Sequence, residues 1–173
     1  VYSASSDEIF IEMDKLPQSK KDSLPIWNNE LVMRSHGAGG YTSRCMSKRL
    51  NAQNENLADT CEKSAVAASL LTSYKYPKAI LDNAWKRVIQ HQFHDDIPGT
   101  STMLQYNDSW NDYFASLNQF QTEYEGAVGA IANELDTSWC KECAIIVNNP
   151  VATKRKAAVE AHIKLNRNAK YVK

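Results

Sequence analysis

The chain has 173 residues, of which 20 are Lys or Arg and 20 are Asp or Glu, so its formal net charge at pH 7 is zero. This balance provides no basic field that would favour nucleic acid or an anionic membrane as a partner. No apolar run approaches the roughly 18 residues that a membrane-spanning helix needs. The length allows one domain with flanking segments. Because the chain begins with Val1 rather than with Met, we expect it to be part of a larger protein.

Residues 1–40 are predicted to lead into the first long helix. The string Ser5-Ser6-Asp7-Glu8 has the form of a capping box. Three apolar residues then share one helix face: Ile9, Met13 and Leu16. This pattern predicts a short helix ended by Pro17, within a polar loop that covers residues 15–23. The glycine-rich string 37–40 has no following Lys-Ser/Thr pair, which favours a flexible lead-in over a phosphate-binding loop, and His36 receives no role.

Three long helices are predicted between residues 41 and 137 from apolar residues spaced three or four positions apart. The first covers about 42–74, the second begins at Pro77 and ends at Asp95 or Asp96 before Pro98-Gly99, and the third is capped by Thr100 or Ser101. The apolar residues of the third helix hold a period near 3.5, which is typical of supercoiled packing. They are Met103, Tyr106, Trp110, Tyr113, Leu117, Phe120, Tyr124, Val128, Ile131 and Leu135. The fold class is therefore mainly α, with a three-helix up-down-up bundle.

Residues 138–173 change in character and predict strands. The apolar run 144–147 and the alternating run 159–165 both have strand patterns. Two strands cannot form a stable sheet alone, so we interpret them as the first strands of a truncated β-domain. Cys140 and Cys143 lack the second Cys or His pair of a zinc site, which favours partly buried thiols over a metal or redox role.

The most unusual stretch is 91–100, where the second predicted helix meets its Pro-Gly stop. It contains His91, His94, Asp95 and Asp96 within six residues. Carboxylates beside the carbonyls of a helix C-terminus make an acidic spot that a divalent metal bound through His94 would compensate. The alternatives are a helix cap or a surface ion pair, since a metal needs about four ligands and this stretch offers two or three. His91 lies one turn before His94, and is either a further ligand or a packed histidine.

The string Phe93–Thr100 resembles the HD-x-I-x-GT signature of the glycoside hydrolase family 38 α-mannosidases. Residues 24–31 resemble the segment before that family's helical middle domain, and Tyr41-Thr42-Ser43-Arg44 resembles the "YTS" opening of its first helix. The resemblance covers roughly residues 5–150. It implies that residues 1–40 are the tail of the catalytic domain and a linker, that 41–137 are the middle domain, and that 138–173 begin the C-terminal β-domain.

The resemblance also implies a function. Family members are retaining, zinc-dependent enzymes that hydrolyse terminal α-D-mannosides, using two carboxylates and an oxocarbenium-like transition state. By the signature, His94 is a zinc ligand and Asp95 contacts sugar hydroxyls. The nucleophile and the other ligands belong to a catalytic α/β domain, so we expect no catalytic residue in this chain and no activity of the chain alone. The implied partners are a mannose-containing glycan, the catalytic α/β domain and the C-terminal β-domain of the same polypeptide. The alternative is a non-catalytic helical-bundle interaction module.

Overall fold

The computed structural model describes residues 3–29, 38–141 and 143–163. This part of the chain is mainly helical, which confirms the predicted fold class, and it divides after Ala38 into two units. The first unit contains two short helices, α1 (Glu8–Asp14) and α2 (Gln18–Lys21). The second contains three long helices, α3 (Cys45–Leu71), α4 (Lys78–Gln90) and α5 (Met103–Asn133). One turn of 3-10 helix, Ala38–Tyr41, precedes α3.

The start of α1 differs from the predicted capping box. Its N-cap is Asp7, whose side chain makes no capping hydrogen bond. Ser5 contributes its backbone carbonyl, which accepts a hydrogen bond from the Glu8 N–H at 3.1 Å. The helix ends before Pro17 as predicted, but the expected loop then contains α2, whose N-cap is Pro17. Proline suits this position because the first N–H groups of a helix have no intrahelical acceptor.

Helices α3 and α5 run parallel to each other. Near their N-terminal ends, the Trp110 indole N–H donates to the Ser47 hydroxyl at 2.9 Å. Towards their C-terminal ends, the Tyr74 hydroxyl, just beyond α3, donates to the Glu123 carboxylate at 2.9 Å. Since residue numbers rise together along both helices, the two helices point the same way.

Helix α4 runs in the opposite direction along α5. In its middle, the Ala84 carbonyl accepts a hydrogen bond from the Ser116 hydroxyl at 3.3 Å. At its end, His91 Nε2 lies 3.0 Å from a carboxylate oxygen of Asp112. Residue numbers rise along α4 while those of the paired residues on α5 fall, so the two helices are antiparallel. This confirms the up-down-up bundle.

The bundle core is built on the predicted apolar stripes, except that the buried position near the C-terminal end of α5 differs by one residue from the prediction. The main cluster consists of Leu50, Ala58, Cys61, Leu81, Ala84, Val88, Tyr113 and Phe120. A second cluster joins Ala65, Ala68 and Ala127. In α5 the buried stripe therefore continues through Ala127 rather than the predicted Val128, and alanines there let the helix backbones approach closely. None of the helices in the described ranges is long and apolar enough to cross a membrane.

The predicted strands are absent from the part of residues 138–163 that the structure describes. Residues 144–147 and 159–163 form no β-ladder, and the end of the second run, 164–165, lies outside the described residues. A strand pattern becomes a strand only when a neighbour supplies hydrogen bonds to its backbone. This segment instead contacts the bundle through Asn148, whose side-chain amide donates to the Ser64 hydroxyl at 2.9 Å. The truncated β-domain and the domain boundaries remain predictions.

The four cysteines are free thiols in different surroundings. Cys45 and Cys143 are exposed, Cys140 is half-buried and Cys61 is buried. Burial, with smaller contributions from Glu123 and Glu62, raises the pKa of Cys61 to about 11. The thiolate is the reactive form of cysteine, so Cys61 is protected both by packing and by its protonation.

We expect a neutral thiol reagent to label Cys45 and Cys143 of the native chain rapidly and Cys61 only after unfolding. Mass spectrometry of peptides from labelled chains, with and without denaturant, measures this. Rapid native labelling of Cys61 would contradict its placement in the core.

Phe120 is fully buried, whereas Phe114, on the same helix, is 50% exposed. Replacing Phe120 with alanine should lower the free energy of unfolding by about 3–5 kcal/mol, since it leaves a cavity beside Trp85. The matched Phe114→Ala variant should change that free energy by about 1 kcal/mol or less. Chemical denaturation followed by circular dichroism tests both variants, and equal losses would contradict the observed core.

Candidate functional site

The α4–α5 corner, residues 91–102, begins earlier than predicted. Helix α4 ends at Gln90 with His91 as its C-cap, rather than at Asp95 or Asp96. Beyond His91, backbone N–H groups donate to carbonyls three residues back. These bonds join Gln92 to Ile89, Asp96 to Phe93 and Gly99 to Asp96, at 3.1, 2.9 and 3.0 Å. The Pro-Gly stop therefore ends a series of turns rather than the helix, and the negative helix end lies at His91 instead of at His94.

His94 and Asp95 lie next to each other on the surface of this corner. Their side chains are 77% and 55% exposed, and His94 Nε2 lies 3.4 Å from Asp95 Oδ2. The Phe93 ring covers one side of the imidazole, with 4.1 Å between ring centroids. The Thr100 hydroxyl lies 3.0 Å from Asp95 Oδ1 and 3.2 Å from the Asp95 carbonyl, and so fixes the carboxylate to its own turn. An imidazole nitrogen and a carboxylate oxygen thus face solvent together.

His91 and Asp96 have the opposite environment and lie inside the bundle. His91 is 2% exposed and Asp96 is 3% exposed. His91 Nδ1 lies 2.8 Å from Asp96 Oδ2, and the same oxygen accepts a hydrogen bond from the Ser109 hydroxyl at 2.6 Å. Of the two interpretations left open by the sequence, the structure shows that His91 is a packed histidine. The signal was its spacing, since it continues the buried face of Ala84 and Val88.

The N-terminal end of α3 holds the corner from the opposite side. Lys48 donates to the Ile97 carbonyl at 2.8 Å and also to the Ser43 carbonyl. Burial lowers the pKa of Lys48. The Arg44 guanidinium lies 4.7 Å from the centre of the Tyr106 ring, a cation–π contact. The corner is thus fixed by α3 and α5 together.

Gly99 lies against Ser43, just before α3. Its φ is +97°, and a Cβ at this position would lie 2.4 Å from the Ser43 hydroxyl oxygen. The Ser43 hydroxyl also faces the Gly99 carbonyl at 3.5 Å. A side chain would therefore be strained by the backbone and blocked by its neighbour.

The exposed pair fits a zinc ion in the type of its donor atoms but not in their number. A neutral imidazole and a carboxylate are ordinary zinc ligands, and zinc sites usually have four. Within residues 3–29, 38–141 and 143–163, no three His, Cys, Asp or Glu side chains come together as a metal site. His36 lies outside these residues. A zinc ion at His94 would therefore take further ligands from beyond the described residues.

Residues 19–131 match the model of the family described as alpha mannosidase middle domain. The chain belongs to this family. The match includes the three long helices and the corner, and it confirms the resemblance to the family 38 α-mannosidases.

Curated relatives of this middle domain are α-mannosidases from distant eukaryotes. The chain is 34% identical over 102 residues to "Alpha-mannosidase" of Saccharomyces cerevisiae, and the aligned residues make up 58% of this chain and 9% of that protein. It is 31% identical over 91 residues to "Alpha-mannosidase 2C1" of Mus musculus, 52% of this chain and 9% of that protein. It is 33% identical over 94 residues to "Alpha-mannosidase G" of Dictyostelium discoideum, 51% of this chain and 8% of that protein. The chain therefore spans less than a tenth of each relative.

Two glycines of the middle domain should respond in opposite ways to alanine. Gly99→Ala should lower the free energy of unfolding by about 1–3 kcal/mol, because φ is positive there and Ser43 blocks the added carbon. Gly129→Ala, in α5 with open space around its Cβ position, should raise that free energy by about 0.5–1 kcal/mol.

Denaturant titrations of the two variants beside the unaltered chain measure both changes. If Gly99→Ala is as stable as the unaltered chain, the close approach of the corner to α3 is wrong.

Proposed function

We propose that this chain contributes a zinc ligand, His94, and a sugar contact, Asp95, to the active site of a retaining, zinc-dependent α-mannosidase that acts on terminal α-D-mannosides. The observation that supports this most directly is the outward pairing of these two side chains on a corner fastened to two helices. The match to the α-mannosidase middle domain supports the substrate class. The substrate is then a mannose-containing glycan, and the partners are the catalytic α/β domain and C-terminal β-domain of the same polypeptide.

The roles follow from the chemistry of the pair. His94 would hold the zinc ion through its imidazole, and bound zinc supplies a Lewis acid that grips vicinal sugar hydroxyls. Asp95 accepts hydrogen bonds from hydroxyl groups, and the contact of Thr100 with its Oδ1 limits rotation of the carboxylate. Contact with Phe93 likewise restricts the imidazole. Such restriction matters because a displacement of about 1 Å at a reacting site costs about 100-fold in rate.

The nucleophile and the general acid are assigned to the catalytic α/β domain rather than to this chain. A retaining glycosidase needs two carboxyl groups about 5–5.5 Å apart on either side of the scissile bond. Of the two carboxyl groups in the corner, Asp95 is assigned to the sugar hydroxyls and Asp96 is buried in the bundle. We therefore expect the chain alone to be inactive. A non-catalytic interaction module explains the bundle but not the outward His-Asp pair or the family match.

In the full-length enzyme, His94→Ala should lose zinc and activity together. Removal of a ligand should lower the rate on an aryl α-mannoside by more than about 100-fold, since even outer-shell partners of a metal contribute about 10–100-fold. Asp95→Asn should keep zinc and lower kcat by about 10- to 150-fold, the equivalent of a charged hydrogen bond of about 1.5–3 kcal/mol. Metal analysis and initial rates on the same preparations test both effects.

The matched control is His162→Ala, which removes an exposed histidine far along the chain from the corner. It should leave zinc content and rate unchanged. Full zinc occupancy with a normal rate in His94→Ala would refute the proposal and leave the pair as a surface ion pair.

A further inference from the structure

His91 contacts a carboxylate with each of its two ring nitrogens. Nδ1 lies 2.8 Å from Asp96 Oδ2 in the corner, and Nε2 lies 3.0 Å from Asp112 Oδ2 on α5. The imidazole is almost fully buried, as is the Asp96 side chain, while the Asp112 side chain is 35% exposed. We call this arrangement of His91, Asp96 and Asp112 the histidine clamp.

The clamp joins three separate parts of the molecule. His91 is the C-cap of α4, Asp96 belongs to the corner, and Asp112 lies on α5. The two ring nitrogens of a histidine are held in one rigid plane, so a contact at each nitrogen fixes the position of Asp96 relative to α5.

Other charged and titratable groups surround the clamp. On α4, Arg87 Nε lies 3.8 Å from Asp112 Oδ1. On α5, the Tyr113 ring packs against the imidazole at 5.4 Å between centroids, and burial and then the Asp96 charge raise the pKa of Tyr113. On α3, Glu55 accepts a hydrogen bond from Gln92. Buried polar groups need hydrogen-bond partners, and among the groups named here only the imidazole contacts Asp96.

The clamp acts on the exposed pair through the backbone of the corner. The Asp96 N–H donates to the Phe93 carbonyl at 2.9 Å, so these two residues close a turn whose middle residues are His94 and Asp95. The Asp96 carboxylate holds one end of this turn in the bundle, where Ser109 also donates to it. The Tyr106 hydroxyl donates to the Asp96 carbonyl at 3.3 Å. The orientation of the exposed pair thus depends on where Asp96 is held.

We infer that His91 is a positioning residue for the active site: bound to Asp96 and Asp112, it fixes the turn that presents His94 and Asp95. The inference rests on the proposed function, because it assigns to His91 the task of orienting a zinc ligand and a sugar contact. His91 itself is buried and touches neither zinc nor sugar. Replacing His91 should therefore change zinc affinity and kcat, although His91 takes no direct part in the reaction.

The ring contacts of His91 are tested on the 173-residue chain by nitrogen-15 NMR of the histidine rings near neutral pH. We expect His91 to have a ring N–H that exchanges slowly with water, because the ring is buried between two carboxyl groups, whereas the exposed rings of His94 and His162 exchange rapidly. The His91 signals are identified by their loss in His91→Gln. Rapid exchange of every ring hydrogen of His91 would overturn the clamp as described.

The positioning role is tested in the full-length enzyme with Asp112→Asn, which removes one charge from the clamp at a half-exposed position and is the variant least expected to unfold. Its matched control is Asp108→Asn, an exposed aspartate one turn earlier on α5. Asp112→Asn should weaken zinc binding by about 10–100-fold and lower kcat at saturating zinc by about tenfold or more, with KM changed by about twofold or less. Asp108→Asn should change none of these quantities. His91→Gln should resemble Asp112→Asn, with a larger loss of thermal stability.

The outcomes separate this inference from the function on which it rests. If His94→Ala loses zinc while Asp112→Asn and His91→Gln keep normal zinc affinity and kcat, the inference is overturned and the proposed function stands. The inference is likewise overturned if these two variants lose only thermal stability. If His94→Ala itself keeps zinc and rate, the proposed function fails and the inference fails with it, even if the NMR experiment finds a slowly exchanging ring hydrogen on His91.

Discussion

The arrangement between α4 and α5 depends on one constraint: a polar side chain buried in a protein must find hydrogen-bond partners there. Asp96 is that side chain. Its Oδ2 receives His91 and Ser109, from the end of α4 and the first half of α5, whereas its Oδ1 is buried without a hydrogen-bond partner among the described residues. Because one oxygen takes these contacts, loss of either partner leaves a buried polar group with fewer hydrogen bonds. These contacts hold the corner to the bundle although no residue of the turn 93–96 is large and apolar inside the core.

The bundle could be predicted from the sequence because its helices follow apolar periodicity, and the stripe from Tyr106 to Phe120 is buried where it was expected. The pattern could not reveal the small polar residues between α3 and α5. Ser47, Asn54 and Ser109 are almost fully buried, and the Asn54 amide donates to the Leu50 and Tyr113 carbonyls, which joins the two helices. A hydropathy pattern predicts that such residues are exposed. They can be buried when tertiary contacts supply partners for their hydrogen bonds. The predicted strands form no ladder within the described residues 144–147 and 159–163, since a strand depends on a partner that local sequence does not specify.

The candidate site was predictable in its position and only partly in its construction. The order His-Asp-x-Ile-x-Gly-Thr identifies the corner, and Gly99, the glycine of its Pro-Gly stop, has a positive φ. The end of α4 was predicted too late because Pro98 restricts only its immediate neighbour, which leaves room for turns between helix and proline. The partner of His91 on α5 lies 21 residues away in the chain. No local rule connects two positions at that distance, so the clamp emerges only when α4 and α5 are packed.

In the turn 93–96 one side chain is buried in the bundle while its neighbours are exposed to solvent. This arrangement matters for a site that is shared between domains. Phe93 and Asp96 close the turn through their backbones, and Asp96 points inward while His94 and Asp95 are exposed. A pair of ligating groups on a free loop would lose conformational freedom each time it met the rest of a site, which weakens binding. Here the end of the turn at Asp96, which is buried, has already lost that freedom during folding of the bundle. On the proposed function, a domain without a nucleophile can therefore deliver a zinc ligand in a fixed orientation, and the stability of the bundle core becomes part of the affinity for the metal.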